Sequence, residues 1–260
     1  MWDFEHGSAG GAFEISYTLP ANCAEQLRTG TADIGIIPAA AYVTIPDLLI
    51  LPGVAIAARR AVRSILLVSK VPLEQIRSVA LDTSSLTSVA LTKVLFAKWI
   101  GAEPRFNSMP PDLDFMLREC DAGLLIGDPA LQVDRSRYHT YDLAEEWIRR
   151  TGLPFVFAFW AVRASAVKHW DAAALAQVFQ SSRDHGLEPG NVARIAEEWA
   201  PRLGISSESG IRYLNDNIYY ALDPDCLRGL QLFYQYAKDC EALPLIPELR
   251  FLELIKPVVS

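Results

Sequence analysis

Residues 78–101 read SVALDTSSLTSVALTKVLFAKWIG. Ser78-Val79-Ala80-Leu81 is a strand, and Asp82-Thr83-Ser84-Ser85 is a polar turn. Leu91, Val94, Leu95 and Trp99 then recur at helical spacing, so one face of a helix is apolar. Gly101 ends that helix. A strand that feeds a helix through a hydroxyl-rich turn is the unit of an α/β fold.

The same grammar repeats on either side. Ala24–Arg28 reads as a short helix closed by Gly30, and Asp33–Ile37 as a buried strand stopped by Pro38. Ala39–Tyr42 starts another helix. Leu48–Leu51 and Val54–Ala57 read as two strands around Pro52-Gly53. The unbroken apolar run of Ser64–Ser69 predicts a strand covered on both faces. Cys120–Ile126 is a strand, with Asp128 expected as the N-cap and Pro129 as the first residue of the next helix. Pro154–Val162 is a long aromatic strand. Beyond it the chain reads as helical, with candidates at 191–203, 207–222 and 224–239.

The strands near 64–69 and 154–162 flank a compact α/β segment of about 90 residues, a size suited to one lobe. This is the pattern of a lobe inserted into another lobe. We therefore expect residues 1–62 and 163–260 to form one lobe and 63–162 the other, joined by two hinge-crossing strands. Ligands of such folds bind outside the carboxyl ends of the strands.

Composition narrows the partners. Hydrophobic residues make up 51% of the 260, enough for a substantial core, and the net charge of -7 argues against a nucleic-acid footprint. No window has the roughly 18 continuous apolar residues of a membrane helix. The first residues, Met1-Trp2-Asp3-Phe4, lack the basic and apolar regions of a secretory leader. Cys23, Cys120, Cys226 and Cys240 form no C-x-x-C pair, so neither a zinc site nor a disulfide framework is expected. No cofactor is expected, and oligomeric state is not legible.

Three strand-to-helix turns are candidate sites: Ile37-Pro38-Ala39, Asp82–Ser88 and Gly127-Asp128-Pro129. The start of a helix offers free N–H groups and about half a unit of positive charge, so it can hold a carboxylate without Lys or Arg. The middle turn adds the hydroxyls of Thr83, Ser84, Ser85, Thr87 and Ser88. Capping and ligand binding both remain open there. Asp128 reads mainly as a cap, and Ser64 either as a strand-end hydroxyl or as a group facing the cleft. Asp82 can serve as a base or close an Asx-turn. The aromatics Phe155, Phe157, Phe159 and Trp160 read as core. His6, His139, His169 and His185 lie in none of these turns. There is no nucleophile elbow, phosphate loop or H-E-x-x-H motif.

Asp82-Thr83-Ser84-Ser85-Leu86-Thr87-Ser88-Val89-Ala90-Leu91 resembles a D-T-S-S-R-T-S-V-A-L segment of one known family. Residues 121–131, DAGLLIGDPAL, are similar to its D-A-A-L-L-I-G-D-P-A-L. Asp142-Leu143, Glu146-Trp147 and Thr151–Ala158 fit a further stretch, and Ala32–Pro38 and Tyr213-Leu214 also agree. The family is the chorismate dehydratases of the futalosine route to menaquinone. The resemblance implies a two-lobed α/β fold of the periplasmic-binding-protein type II class, working in the cytoplasm. It implies a lyase that removes water from chorismate to give 3-[(1-carboxyvinyl)oxy]benzoate. Ser84, Ser85 and Thr87 are then the candidate catalytic residues. Ser64, Thr83, Ala39, Gly127 and Asp128 are the candidate substrate contacts.

Two departures accompany the resemblance. The family's Arg in the serine turn is Leu86 here, with Arg63 and Arg105 as candidate replacements. Family members also open with a strand and an S-Y-L-N-x-x-P-L segment, and Met1 aligns just after it. The expectation is a chain without that first strand and its Asn. The alternative reading is a binding protein of the same fold that holds a small carboxylate without turning it over.

Overall fold

A Pro at one end and a Gly at the other delimit the first long helix, α2 (Pro20–Thr29), which follows the one-turn α1 (Trp2–His6). The computed structural model describes residues 1–7, 11–82, 84–168 and 170–252. Thr83 and His169 therefore lie outside the described residues, and the contact expected of Thr83 is not taken further.

β1 (Ile34–Pro38) runs into the short α3 (Ala39–Tyr42), since Pro38 has no N–H to extend the strand ladder. β2 (Leu48–Ala58) is one continuous strand, where two were expected around Pro52-Gly53. Its register against β8 (Phe155–Arg163) jumps from Ile50↔Ala161 to Ala55↔Phe159. Pro52-Gly53 is thus a bulge, and Gly53 at φ +81° supplies the backbone that a side chain resists. β8 is the central strand of this first sheet, in the order β1-β8-β2 and antiparallel to both neighbours. β8 therefore groups with β1 and β2 rather than with the expected 63–162 lobe. Its run of buried aromatic and aliphatic residues suits a strand covered on both faces.

The second sheet has the order β5-β4-β6-β3-β7. It contains β3 (Ile65–Ser69), β4 (Ser78–Asp82), β5 (Arg105–Met109), β6 (Ala122–Ile126) and β7 (His139–Asp142). β4 is parallel to β5 and β6, whereas β3 is antiparallel to β6 and β7. Its connections are α4 (Leu86–Leu95), α5 (Leu113–Glu119) and α6 (Asp128–Leu131). α4 continues into a wider π-type turn at Phe96–Ile100. α7 (Leu143–Thr151) leads back to β8. The chain thus crosses between sheets twice, at 59–64 ahead of β3 and at 152–154 ahead of β8.

The C-terminal part is α8 (Ala172–Gly186), α9 (Pro189–Leu203), α10 (Ser207–Arg212) and α11 (Pro224–Asp239). The helix expected over 207–222 stops early. A π-type turn occupies Tyr213–Asn217, and Tyr219 then exchanges two 2.8 Å backbone hydrogen bonds with Ala57. β-branched Ile218 and the aromatic pair Tyr219-Tyr220 suit that extended backbone.

One continuous core joins the two sheets. Trp147, with 0% exposure, meets Trp99, Phe155 and Tyr236 edge-on at centroid distances of 5.9, 5.3 and 6.1 Å. Phe155 in turn packs on Phe233 at 5.1 Å. Truncating a buried aromatic of this size costs about 3–5 kcal/mol. The seam thus binds β8 and α11 to α4 and α7. Among the described residues, no helix is long and apolar enough to cross a membrane.

Candidate functional site

β4 and β6 are parallel, so their carboxyl ends lie on the same edge of the second sheet. β3 runs the other way and starts there. Gly127 N–H donates to Ser64 O at 2.7 Å, which fixes the turn after β6 against the start of β3. The hydroxyl turn, Gly127 and Ser64 therefore share one edge, as the topology of such sheets predicts for a ligand site.

Within the turn each hydroxyl has its own state. Ser85 is the N-cap of α4, and its Oγ accepts from Ser88 N–H at 3.3 Å. Ser84 donates both its N–H (2.8 Å) and its hydroxyl (2.6 Å) to Asp82 Oδ1. This is the Asx-turn reading of Asp82. The Ser84 proton is committed, so its oxygen presents lone pairs only. Asp82 is 1% exposed, and its Oδ2 is buried without a partner among the described residues. Thr87 is 2% exposed, and its Oγ1 accepts the Ala40 N–H at 3.1 Å. That bond runs from the start of α4 in one lobe to α3 in the other. Ser85 and Thr87 both accept, so each keeps a proton to donate elsewhere.

Ala39 lies beside this bond. It is buried, and its carbonyl accepts from Tyr234 Oη at 2.7 Å. Ser64, 4% exposed, accepts from Tyr213 Oη at 2.9 Å. The structure thus brings Ser84, Ser85, Thr87 and Ala39 together, with Ser64 and Gly127 along the same sheet edge. Asp128 departs from its expected role as a cap. The cap of α6 is Gly127 at φ +63°, and the Asp128 carboxylate is exposed with no capping bond. Gly127 O accepts from Ala130 and Leu131, so the helix begins one residue early and turns Asp128 outward. Arg105 is exposed on edge strand β5, and Arg63 sits in the crossing at φ +66°.

Sequence reasoning missed Tyr213 and Asp142. Tyr213 appeared only as a motif match. Burial raises the pKa of its phenol, the hydrogen bond to Ser64 opposes that, and nearby Asp128 and Asp142 raise it further, so it remains a donor. Asp142 is 5% exposed and accepts four backbone N–H groups, from Val62, Arg63, Ala144 and Glu145. Burial raises its pKa, and the bonds from Arg63, Glu145 and Val62 counter that rise. The advance signals for Asp142 were a motif match and its place before an apolar helical run.

Two cavities of about 470 and 290 Å³ lie elsewhere, on the first sheet. Phe4, Ile36, Trp160 and Phe179 line both, and no hydroxyl of the 84–88 turn lines either. The smaller is lined mainly by apolar groups and the larger by a mixture that includes Glu14, Gln26 and Asp33, whereas the hydroxyl turn lies at the seam between lobes. That seam is shut at the Thr87–Ala40 contact. No group of three or more His, Cys, Asp or Glu side chains is placed to hold a metal among the described residues.

Two α/β lobes joined by two crossings, with polar groups converging between them, define the periplasmic-binding-protein fold. An Archaeoglobus fulgidus protein superposes with a TM-score of 0.64 at 16% identity, over 93% of this chain and 94% of that one. The periplasmic aliphatic sulphonate binding protein of Escherichia coli gives 0.62 at 14%, over 90% and 79%. Identities this low carry the fold alone. A family model described as menaquinone biosynthesis matches residues 1–239, and the chain belongs to that family. It is 33% identical over 239 residues, 85% of each chain, to a chorismate dehydratase of Thermus thermophilus.

Proposed function

We propose that this chain is a carbon–oxygen lyase that eliminates water from chorismate to give 3-[(1-carboxyvinyl)oxy]benzoate in menaquinone biosynthesis. The observation that carries the reading is the 33% identity to a chorismate dehydratase across 85% of both chains. The hydroxyl turn supplies the matching chemistry. The free protons of Ser85 and Thr87 donate to a carboxylate of the substrate and to the charge that develops on it, backed by the start of α4. The C–H of the ring carbon that bears the enolpyruvyl ether is acidified by conjugation, through the ring double bond, to the ring carboxylate. Its proton passes to a carboxylate of the substrate itself, and the electron pair of the C–H bond becomes a ring double bond as the C–O bond to the neighbouring hydroxyl breaks. That carboxyl returns the proton to the leaving oxygen, so water departs as the ring becomes aromatic. Ser84, held on Asp82, offers an acceptor to a substrate hydroxyl. Ser64 and Gly127 border the substrate, and exposed Asp128 has no part in the step.

We assign the reaction to the cytoplasm, following the family resemblance, and to the seam between lobes 1–62 with 154–252 and 63–153. No cofactor enters the scheme. The test is turnover of purified protein with chorismate, followed in the ultraviolet with the product identified by mass. Product lighter by one water supports the reading. Chorismate that binds and returns unchanged overturns it in favour of a carboxylate-binding protein.

A further inference from the structure

The first crossing between lobes is held at every residue from 61 to 64. Asn217 Nδ2 donates to Ala61 O at 2.8 Å. The Asp142 carboxylate accepts Val62 N–H at 3.1 Å and Arg63 N–H at 2.6 Å. Arg135 Nη2 donates to Arg63 O at 3.0 Å. Tyr213 Oη donates to Ser64 Oγ at 2.9 Å, and Gly127 N–H to Ser64 O at 2.7 Å. Asn217 and Tyr213 are the two ends of one π-type turn in the first lobe, whereas Asp142, Arg135 and Gly127 belong to the second. Short loops between lobes are where the backbone absorbs hinge motion. This one carries bonds from both lobes, and Arg63 is kept at φ +66°, a conformation that L-residues resist. Its two successive N–H groups form a small cup, and the Asp142 carboxylate fills it.

We propose that Tyr213 and Asp142 are positioning residues that pin the crossing from opposite lobes and thereby fix Ser64 at the edge of the substrate site. The inference rests on the dehydratase reading for its kinetic consequence and on geometry alone for the pinning. Tyr213 acts through Ser64: its donated proton occupies one lone pair of Ser64 Oγ, so the Ser64 hydroxyl is directed away from Tyr213. Asp142 acts through the backbone, because it holds the two residues that precede Ser64.

Tyr213→Phe removes one oxygen and leaves the ring, so the fold survives. Losing one such bond lowers kcat/KM for chorismate by roughly 10-fold. Ser64→Ala lowers it at least as far, and Tyr213→Phe in the Ser64→Ala background adds no more than about twofold, since residues acting as a unit are not additive. Effects that multiply instead overturn the assignment, because Tyr213 then acts independently of Ser64. Amide hydrogen exchange provides an arm that needs no turnover. In Tyr213→Phe the Val62, Arg63 and Gly127 amides exchange faster while the midpoint of denaturant unfolding stays near the parent's. In Asp142→Asn, which also weakens the cap of α7, they exchange faster at a lowered midpoint. Unchanged exchange at those amides in Tyr213→Phe sinks the pinning. If the parent turns over no chorismate, the reaction reading fails and the exchange arm still decides this one.

Discussion

At the end of β4 the chain passes through a run of hydroxyls into a ten-residue helix. At the end of β6, the neighbouring parallel strand, it passes through one glycine into four helical residues. Both turns carry the same local signal, a short polar residue ahead of an apolar helical run. In the first the hydroxyls are drawn inward: Thr87, Ser88 and Thr92 are buried, and Ser85 caps. In the second the carboxylate is turned out to solvent. The difference lies in what each turn must satisfy. α4 packs between both lobes, so its first N–H groups and side chains meet other protein. α6 starts on a carbonyl, Gly127 O, that accepts its first bonds and leaves Asp128 no orphan N–H to cap.

Substitutions can break or sharpen this contrast. Thr87→Val keeps the shape but leaves the Ala40 N–H buried without a partner, and it removes a donor from the site. The expected loss in kcat/KM is about 100-fold, the size seen for single donors to developing charge. Steady-state kinetics on a sample with native circular dichroism checks it, and a loss below threefold would place the first turn on the same footing as the second. Ser85→Ala should lower stability by about 1 kcal/mol through the lost cap, and turnover by roughly 10-fold. Urea unfolding and kinetics separate the two effects, and a change in stability alone would make the turn purely structural.

Gly127→Ala tests the second turn. A Cβ there meets nothing within 4 Å, so any cost comes from φ +63°. With ψ at -139° the backbone lies in a region that is essentially confined to glycine, so about 1–3 kcal/mol of destabilisation is expected. A stability change near zero in urea would mean that the turn relaxes to another shape. Asp128→Asn should do least, with stability within about 0.5 kcal/mol as for other exposed positions. Its kcat/KM should stay within twofold of the parent. A large loss of turnover would return this carboxylate to the site.

Elements were legible wherever the signal was local. The strand and helix of 78–101 and the helix at Pro224–Asp239 stand where the spacing put them. So do the buried aromatics Phe155, Phe157 and Phe159 of β8, while Trp160 of the same strand lines the two cavities. The bulge at Pro52-Gly53 was not legible as one strand, because only pairing with β8 shows that the chain continues past it. The early end of α10 follows from contacts of Tyr219 and Asn217 with residues about 160 positions away, beyond any spacing rule. Tyr213 and Asp142 were missed for the same reason. Their partners are backbone groups and a hydroxyl that only the fold brings near. Ser84 was visible as a hydroxyl, but its donation to Asp82, which removes it as a donor, was not.

The aromatic seam has an optical consequence. Trp147 is sealed from water and touches Trp99 and Tyr236, whereas Trp170 and Trp199 are about half exposed. The emission of this chain is therefore a sum of a blue-shifted interior component and a red-shifted surface component. Energy absorbed by Tyr236 passes to indoles within 6.1 Å. Trp99 and Trp147 sit on one lobe and Tyr236 on the other, so this transfer runs across the boundary between lobes and needs no added dye to be read.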